Sequence, residues 1–244
     1  MTDLSNRVAL VTGGSRGIGR AIALALGRAG AAVAVNYRDR QSQAAETVKA
    51  IKAAGRRAIA IRADVSSRPD VEAMAREVEA ELGAIDVLVN NAGIATTRGL
   101  DDLTEEDFDR TIAVNLKSVF LCTAAVLPGM RARRCGRIVN ISSVAARGPG
   151  GIGVHYNASK AGVEGLTRGY AARLAAEGIT VNAIAPGLVD TEMAAPLKQA
   201  GFAARVPIGR FGEADEIGQA ALMLIGKGFI TGHTLSANGG VLFT

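Results

Sequence analysis

The 244-residue chain contains no tryptophan, three tyrosines, six phenylalanines, six prolines and two cysteines. Cys122 and Cys135 cannot make a multi-bridge disulfide framework, so a reducing compartment is expected. With no CxxC pair or Cys/His cluster, and with His155 and His233 lacking metal-ligand spacing, no metal is expected. The first residues lack a basic segment followed by an apolar run of signal-peptide length, and nowhere do about 18 uncharged apolar residues run consecutively. Secretion and membrane spanning are therefore not expected, and a cytoplasmic location is. No Pro/Ser-rich linker, internal repeat or low-complexity tract divides the chain, and one domain over 1–244 is the expectation. The formal charge is +5, but the basic residues are scattered rather than blocked, which argues against nucleic acid. The excess still makes a positive field that favours anionic ligands such as phosphates.

What the sequence does contain is alternation. Short β-branched apolar runs at 7–12, 32–37, 57–62, 85–90, 137–142, 180–185 and near Thr234 predict strands. Stretches of helical period between them predict helices over about 17–29, 41–54, 68–82, 104–132, 154–177 and 213–226. Thr104 before three acids and Ser67 before Pro69 are start signals, and Gly30, Gly55, Gly83 and Gly178 are stops. Repeated βαβ units of this kind predict an α/β fold with a parallel sheet of six or seven strands, covered by helices on both faces. The irregular stretch 187–212 follows a strand end and carries Pro196, Pro207 and three further glycines. It reads as a mobile segment beside a site or as a plain surface excursion.

The first strand runs into Thr12-Gly13-Gly14-Ser15-Arg16-Gly17-Ile18-Gly19 and then a helix. Without Cβ atoms the backbone can turn sharply and approach a pyrophosphate, whose charge meets free N–H groups and the positive helix end. An NAD enzyme would place an acid at the end of the second strand to bind the adenosine ribose. This chain has Asn36, Tyr37 and Arg38 there, and Arg16 in the glycine turn offers a second guanidinium. NADP(H) is thus favoured over NAD(H). Asp64-Val65 ends the third strand, where Asp64 would accept from an adenine amino group or act as an ordinary helix cap. Asn90-Asn91-Ala92-Gly93 ends the fourth strand at the same sheet edge.

Tyr156 and Lys160, four apart on a predicted helix, share one face. An ammonium beside a phenol, with a cationic nicotinamide, would stabilise the phenolate and let Tyr156 exchange protons near neutral pH. Thirteen residues upstream, Ser143 follows a strand end with a hydroxyl suited to a substrate carbonyl. Asn115 interrupts a helix-favouring segment; it either binds a water serving Lys160 or lies on an exposed face.

With TGxxxGxG at 12–19, NNAG at 90–93, Asn115, Ser143, Tyr156, Lys160 and Pro186-Gly187 in this order, the chain resembles the short-chain dehydrogenase/reductase family over essentially its whole length. The resemblance implies a Rossmann-type three-layer sandwich with a seven-stranded parallel sheet and a nicotinamide cofactor. It also implies a catalytic tetrad of Asn115, Ser143, Tyr156 and Lys160. Tyr156 would be the general acid, Ser143 would polarise the carbonyl, Lys160 would hold the nicotinamide ribose, and Asn115 would support a relay water. Cofactor contacts would come from Gly13, Ser15, Arg16, Gly17, Ile18, Gly19, Asn36, Tyr37, Arg38, Asp64, Val65, Asn91, Ala92, Gly93, Tyr156, Lys160, Pro186, Gly187 and Thr191. The substrate loop would be 187–212.

Within the family, GRIVNISS at 136–143, GITVN at 178–182 and the ending from Thr231-Gly232-His233 to Asn238-Gly239-Gly240 resemble 3-oxoacyl-[acyl-carrier-protein] reductases. Such relatives dock an acidic carrier protein on basic residues. One corresponding position is Arg134, but the other is Glu177, a charge reversal that Arg168 or Arg173 would have to offset. An acyl thioester therefore stands beside small ketones, sugars or polyols as the expected substrate, with a non-catalytic NADP(H)-binding regulator as a third reading. The resemblance also implies a homotetramer, with which the apolar tail Val241-Leu242-Phe243 is compatible.

Overall fold

A computed structural model describes residues 2 to 243. Seven strands alternate with helices: β1 Val8–Val11, α1 Gly17–Arg28, β2 Ala32–Tyr37, α2 Gln41–Ala53, β3 Ala58–Arg62, α3 Arg68–Glu81 and β4 Ile85–Asn90. There follow α4 Glu105–Ile112, α5 Ser118–Ala132, β5 Gly136–Ile141, α6 Val154–Leu174, β6 Ile179–Pro186, α7 Ala195–Gln199, α8 Ala214–Gly226 and β7 Thr234–Ala237. All strands pair in parallel, in the order β3-β2-β1-β4-β5-β6-β7.

The period-2 alternation of side chains along each strand divides the interior into two layers. In β1, Ala9 and Val11 face one core with Ile22 and Leu26 of α1, Ile51 of α2 and Ile217 and Leu224 of α8. Val8 and Leu10 face the other, with Met74 and Val78 of α3, Leu121 and Met130 of α5 and Leu174 of α6. Helices thus cover both faces, giving the three layers of a Rossmann-type fold.

The stretch 104–132, expected to be a single helix, breaks its hydrogen-bond pattern. A π-helical turn over Ala113–Lys117 separates α4 from α5, and Asn115 sits in it. Such a widened turn accommodates an extra residue in the helix, and here that allows the Asn115 amide to be turned inward. By length and composition the continuous run Glu105–Ala132 would suffice to cross a membrane, its best window having a mean hydropathy of 1.6. Its inner side nevertheless packs against β4 and α3 in the core.

The irregular stretch 187–212 also contains structure. It holds a 3₁₀ turn at Glu192–Ala194, α7, and a second such turn at Phe202–Arg205. Its two ends are pinned together by Asp190 N donating to Gly212 O and Gly212 N donating to Leu188 O. The segment therefore leaves and re-enters the domain at one place, beside the carboxyl ends of β6 and β1.

Candidate functional site

The expected site residues meet along the carboxyl edge of the sheet, where β1, β4, β5 and β6 release their loops. The turn after β1 is built by close approach. A Cβ on Gly19 would overlap the Gly13 carbonyl oxygen and the Asn91 side-chain amide, and Gly13 (φ 61°) and Gly17 (φ 52°) adopt left-handed backbone. Arg16 begins α1 without capping it through its side chain, and the first turn contains no acid. The helix therefore presents uncapped N–H groups and its positive end to the crevice. That is the cradle a pyrophosphate needs, and the residues present fit a dinucleotide.

Several residues expected at the cofactor also hold the cradle together. Asn36 is buried; its Oδ1 accepts from Gly13 N at 3.1 Å and its amide donates to Ala63 O at 3.1 Å. Asn91 donates from its side chain to the carbonyls of Thr12 (2.9 Å) and Gly13 (3.1 Å). Thr12 Oγ1 accepts from the backbone N–H groups of Asn91 and Ala92, both at 3.0 Å. Ser15 is buried, and its carbonyl accepts from Thr47 Oγ1 at 3.3 Å. Ile18, Tyr37, Val65 and Ala92 pack against the two cores. Asp64 accepts from Ser66 N at 2.8 Å and Ser66 Oγ at 2.6 Å. Burial opposes its ionisation, but the Ser66 hydrogen bonds and the nearby Arg38 and Arg110 outweigh it and hold the carboxyl below its ordinary range.

At the end of β2 no acid stands at Asn36 or Tyr37, and Arg38 is exposed. Its guanidinium is paired with Asp39 at 2.7 Å. Arg16 is paired with Glu192 of the 187–212 segment. Thr191 lies over the glycine turn, where a Cβ at Gly17 would approach its methyl group to 3.4 Å. Pro186 pairs with Ala237 at the end of β6, and Gly187 passes so close to Asn238 that a Cβ would lie 2.8 Å from its Cα.

Ser143, Tyr156, Lys160 and Asn115 come together a few ångströms further along the same edge. Tyr156 and Lys160 are both largely buried, one turn apart on α6, and Tyr156 shares a hydrogen bond with Ser143. Lys160 Nζ donates to Ile141 O at 2.8 Å and lies 5.7 Å from the centre of the Tyr156 ring. A Cβ on Gly93 would stand 3.2 Å from Asn115 Oδ1 and 3.7 Å from Lys160 Nζ, so these two groups share one small space. Asn115 is buried; its Oδ1 accepts from Ile94 N (2.8 Å), and its amide donates to Ile94 O (3.0 Å) and Ser159 Oγ (3.2 Å). An exposed-face role for Asn115 is thereby excluded.

The electrostatics differ from expectation in one respect. Burial pushes the Tyr156 phenol above its ordinary value, and the hydrogen bond with Ser143 offsets this only in part. Burial also pulls Lys160 down to about 8. Without a cofactor the fold holds Tyr156 protonated, because desolvation disfavours the phenolate and the ammonium is directed at the Ile141 carbonyl.

The sequence reading missed a buried network that fixes this geometry. Asn90 donates to Asn140 Oδ1 at 2.8 Å, and Asn140 donates to Thr167 Oγ1 at 2.9 Å, tying β4, β5 and α6 together. Glu164, one turn beyond Lys160, is buried and pairs with Arg147 at 2.8 Å, in the loop that carries Ser143. Ser142 Oγ donates to Lys160 O (3.2 Å) and Glu164 Oε1 (3.3 Å). His155 is buried beside Tyr156, with Nε2 3.1 Å from Thr96 O. The available signal was the i, i+4, i+8 spacing of Tyr156, Lys160 and Glu164.

At the amino edge of β5 the arginine cluster is largely engaged. Arg131 forms a two-pronged pair with Glu177 (2.7 and 3.0 Å), and Arg134, in left-handed backbone at φ 50°, donates to Ala176 O at 2.7 Å. Arg168 lies 3.9 Å from Glu164, and Arg173 donates to Gly169 O at 2.8 Å. Among the described residues no group of three or more His, Cys, Asp or Glu could hold a metal ion.

Comparison with known proteins gives a consistent picture. A sequence profile of the short chain dehydrogenase family matches residues 7–201. The 3-oxoacyl-[acyl-carrier-protein] reductase FabG of Staphylococcus aureus is 43% identical over 240 residues, covering 96% of this chain and 97% of that one. The acetoacetyl-CoA reductase of Rhizobium meliloti is 46% identical over 248 residues, covering 98% and 99%. Among solved structures, a doubly substituted short-chain dehydrogenase/reductase of Serratia marcescens superposes with a TM-score of 0.91 at 40% identity, covering 98% of each chain. One from Mycobacterium marinum does so at 0.93 and 34%, covering 98% and 96%.

Proposed function

The chain belongs to the short chain dehydrogenase family and is an oxidoreductase interconverting carbonyl and alcohol groups, and on that premise we propose that it is an NADPH-dependent reductase of 3-oxoacyl thioesters. The observation that carries the proposal is the convergence of the Ser143 and Tyr156 hydroxyls with the Lys160 ammonium beside Gly93, next to an uncapped helix start in a glycine cradle. NADPH, when bound in the glycine cradle, would supply a hydride for the carbonyl carbon. Tyr156, kept protonated by its buried position, gives its proton to the carbonyl oxygen as negative charge develops there. Ser143 donates a hydrogen bond to the same oxygen and so favours the charge of the transition state. Lys160, anchored at Ile141, offers its remaining N–H groups to the nicotinamide ribose. Asn115 holds the Ile94 backbone against α6 and stands across Gly93 from Lys160, where it would support a relay water. Arg16 and Arg38 receive the 2′-phosphate, and the 187–212 segment covers the acyl chain.

A thioester is favoured because relatives over essentially the full chain are named for 3-oxoacyl and acetoacetyl substrates. A second reading, in which the substrate is a small ketone, sugar or polyol, rests on the Arg131–Glu177 pair, which neutralises part of the face a carrier protein would use. Initial rates of NADPH and NADH oxidation with acetoacetyl-CoA, acetoacetyl-[acyl-carrier-protein] and a panel of ketones and sugars separate the two. Rapid NADPH oxidation with either thioester is expected; turnover of unactivated ketones alone selects the second reading, and stoichiometric NADPH binding without turnover selects a non-catalytic regulator. A cytoplasmic homotetramer completes the proposal. It is supported by exposed apolar side chains on the single chain, among them Phe108, Phe120, Phe229 and Phe243, and is tested by the mass in solution from light scattering.

A further inference from the structure

The corner that would receive the adenosine 2′-phosphate already contains an anion. Glu192, in the 3₁₀ turn of the 187–212 segment, accepts from Arg16 through Oε2 and from Gln43 Nε2 through Oε1 at 3.3 Å. The hydrogen bond from Arg16 chiefly, then its charge, the hydrogen bond from Gln43 and the charge of Arg40, hold the Glu192 carboxyl below its ordinary range. The two donors come from separate elements, the glycine turn and the first turn of α2, and Arg40 at the start of that helix adds its charge. Thr191, next in the chain, lies against Gly17, which fixes the approach of the segment to the turn. A carboxylate bridging two donors in this way uses the N–H groups that a phosphate monoester would use. The other expected phosphate ligand, Arg38, is likewise paired with Asp39. A cofactor arriving at this corner thus meets both expected phosphate ligands, Arg16 and Arg38, already paired with carboxylates.

Resting on the NADP(H) reading above, we infer that Glu192 is a specificity-determining residue: it competes with the adenosine 2′-phosphate for Arg16 and so sets how strongly the protein discriminates NADP(H) from NAD(H). A phosphate, with the higher charge, displaces the carboxylate, whereas an adenosine with a free 2′-hydroxyl leaves the Arg16–Glu192 pair closed. Because both partners are about half exposed, the pair holds the segment only lightly, and the competition acts on discrimination without blocking the site.

Calorimetric titration of the full-length protein with 2′,5′-ADP and with ADP tests this in wild type, Glu192→Gln, Arg16→Gln and the double variant. Glu192→Gln is expected to bind 2′,5′-ADP about two- to fivefold more tightly, with ADP unchanged. In the Arg16→Gln background the same substitution is expected to have no effect. Equal tightening of both probes, or tightening that persists without Arg16, would mean general repulsion instead of competition and overturns the inference. Weaker binding of both probes would mean that Glu192 clamps the cofactor, and overturns it equally. The ratio of the two probes in wild type judges the NADP(H) reading separately: with no preference for 2′,5′-ADP that reading fails, while the change in ratio still judges Glu192.

Discussion

Lys160 is fastened to Ile141: its Nζ donates to the strand carbonyl at 2.8 Å, two residues before Ser143. One bond thus sets the distance between the helix that carries Tyr156 and the strand end that carries Ser143. It also brings an ammonium into a buried position, where desolvation lowers its pKa from 10.5 to about 8. Such a group stores instability at a site.

Replacing Lys160 by Met is therefore expected to abolish turnover while stabilising the cofactor-free protein by about 2 kcal/mol near neutral pH, after allowance for the lost hydrogen bond. Below pH 8 the lysine is protonated in both folded and unfolded chains, so wild type bears the full desolvation cost. Between 8 and 10.5 the folded lysine releases its proton first, the unfolded chain binds more protons, and wild type gains stability as pH rises. Urea unfolding of both proteins should show the gap narrowing across that window. A gap independent of pH would mean that the buried ammonium is not its source.

Tyr156→Phe removes the proposed proton donor and leaves the packing. Turnover is expected to fall at least a hundredfold with NADPH affinity unchanged. In the absence of cofactor, the difference between the ultraviolet alkaline titrations of wild type and variant should place the Tyr156 midpoint above that of free tyrosine, because burial raises it. A midpoint near neutrality would contradict the role of burial.

Arg38→Asp places a carboxylate at the end of β2, where it repels a 2′-phosphate and can accept from a ribose hydroxyl. The ratio of KM for NADPH to KM for NADH is expected to rise by roughly tenfold or more. An unchanged ratio would remove Arg38 from the cofactor site.

Gly19→Ala adds a methyl group where the Gly13 carbonyl and the Asn91 amide already meet. Backbone and a doubly bonded amide cannot yield cheaply, so a loss of about 1–3 kcal/mol is expected, with at least tenfold weaker NADPH binding. Thermal unfolding and fluorescence titration measure the two effects. Normal affinity in a folded variant would show that the turn does not cradle the cofactor.

Local chemistry made much of this molecule legible in advance. The alternation of strand and helix periods gave the element order, since β1, β4, β5 and β6 are buried along nearly their whole length and read as short, mainly apolar runs. Tyr156 and Lys160 were readable as a pair because four residues make about one helical turn. Asn115 stood out as a polar residue in a helix-favouring segment, but its partner Ile94 lies 21 residues away, and the π-helical turn that points it inward follows from packing. The i, i+4, i+8 spacing puts Glu164 on the face of Tyr156 and Lys160, but nothing local marks its union with Ser142 and Arg147, because a buried ion pair exists only once α6 lies against the loop after β5.

Composition, periodicity and the glycine spacing, all properties of neighbouring residues, determined the α/β layering, the phosphate-binding turn and the identity of the hydroxyl and amine groups at the sheet edge. The tertiary structure decided which charges stand alone. It paired Arg16 with Glu192 across 176 residues and Arg131 with Glu177 across 46, and it buried Lys160 and Tyr156 deeply enough to move their proton affinities. Side-chain charge is written in the sequence, but its partner and its solvation depend on distances that only the folded chain defines.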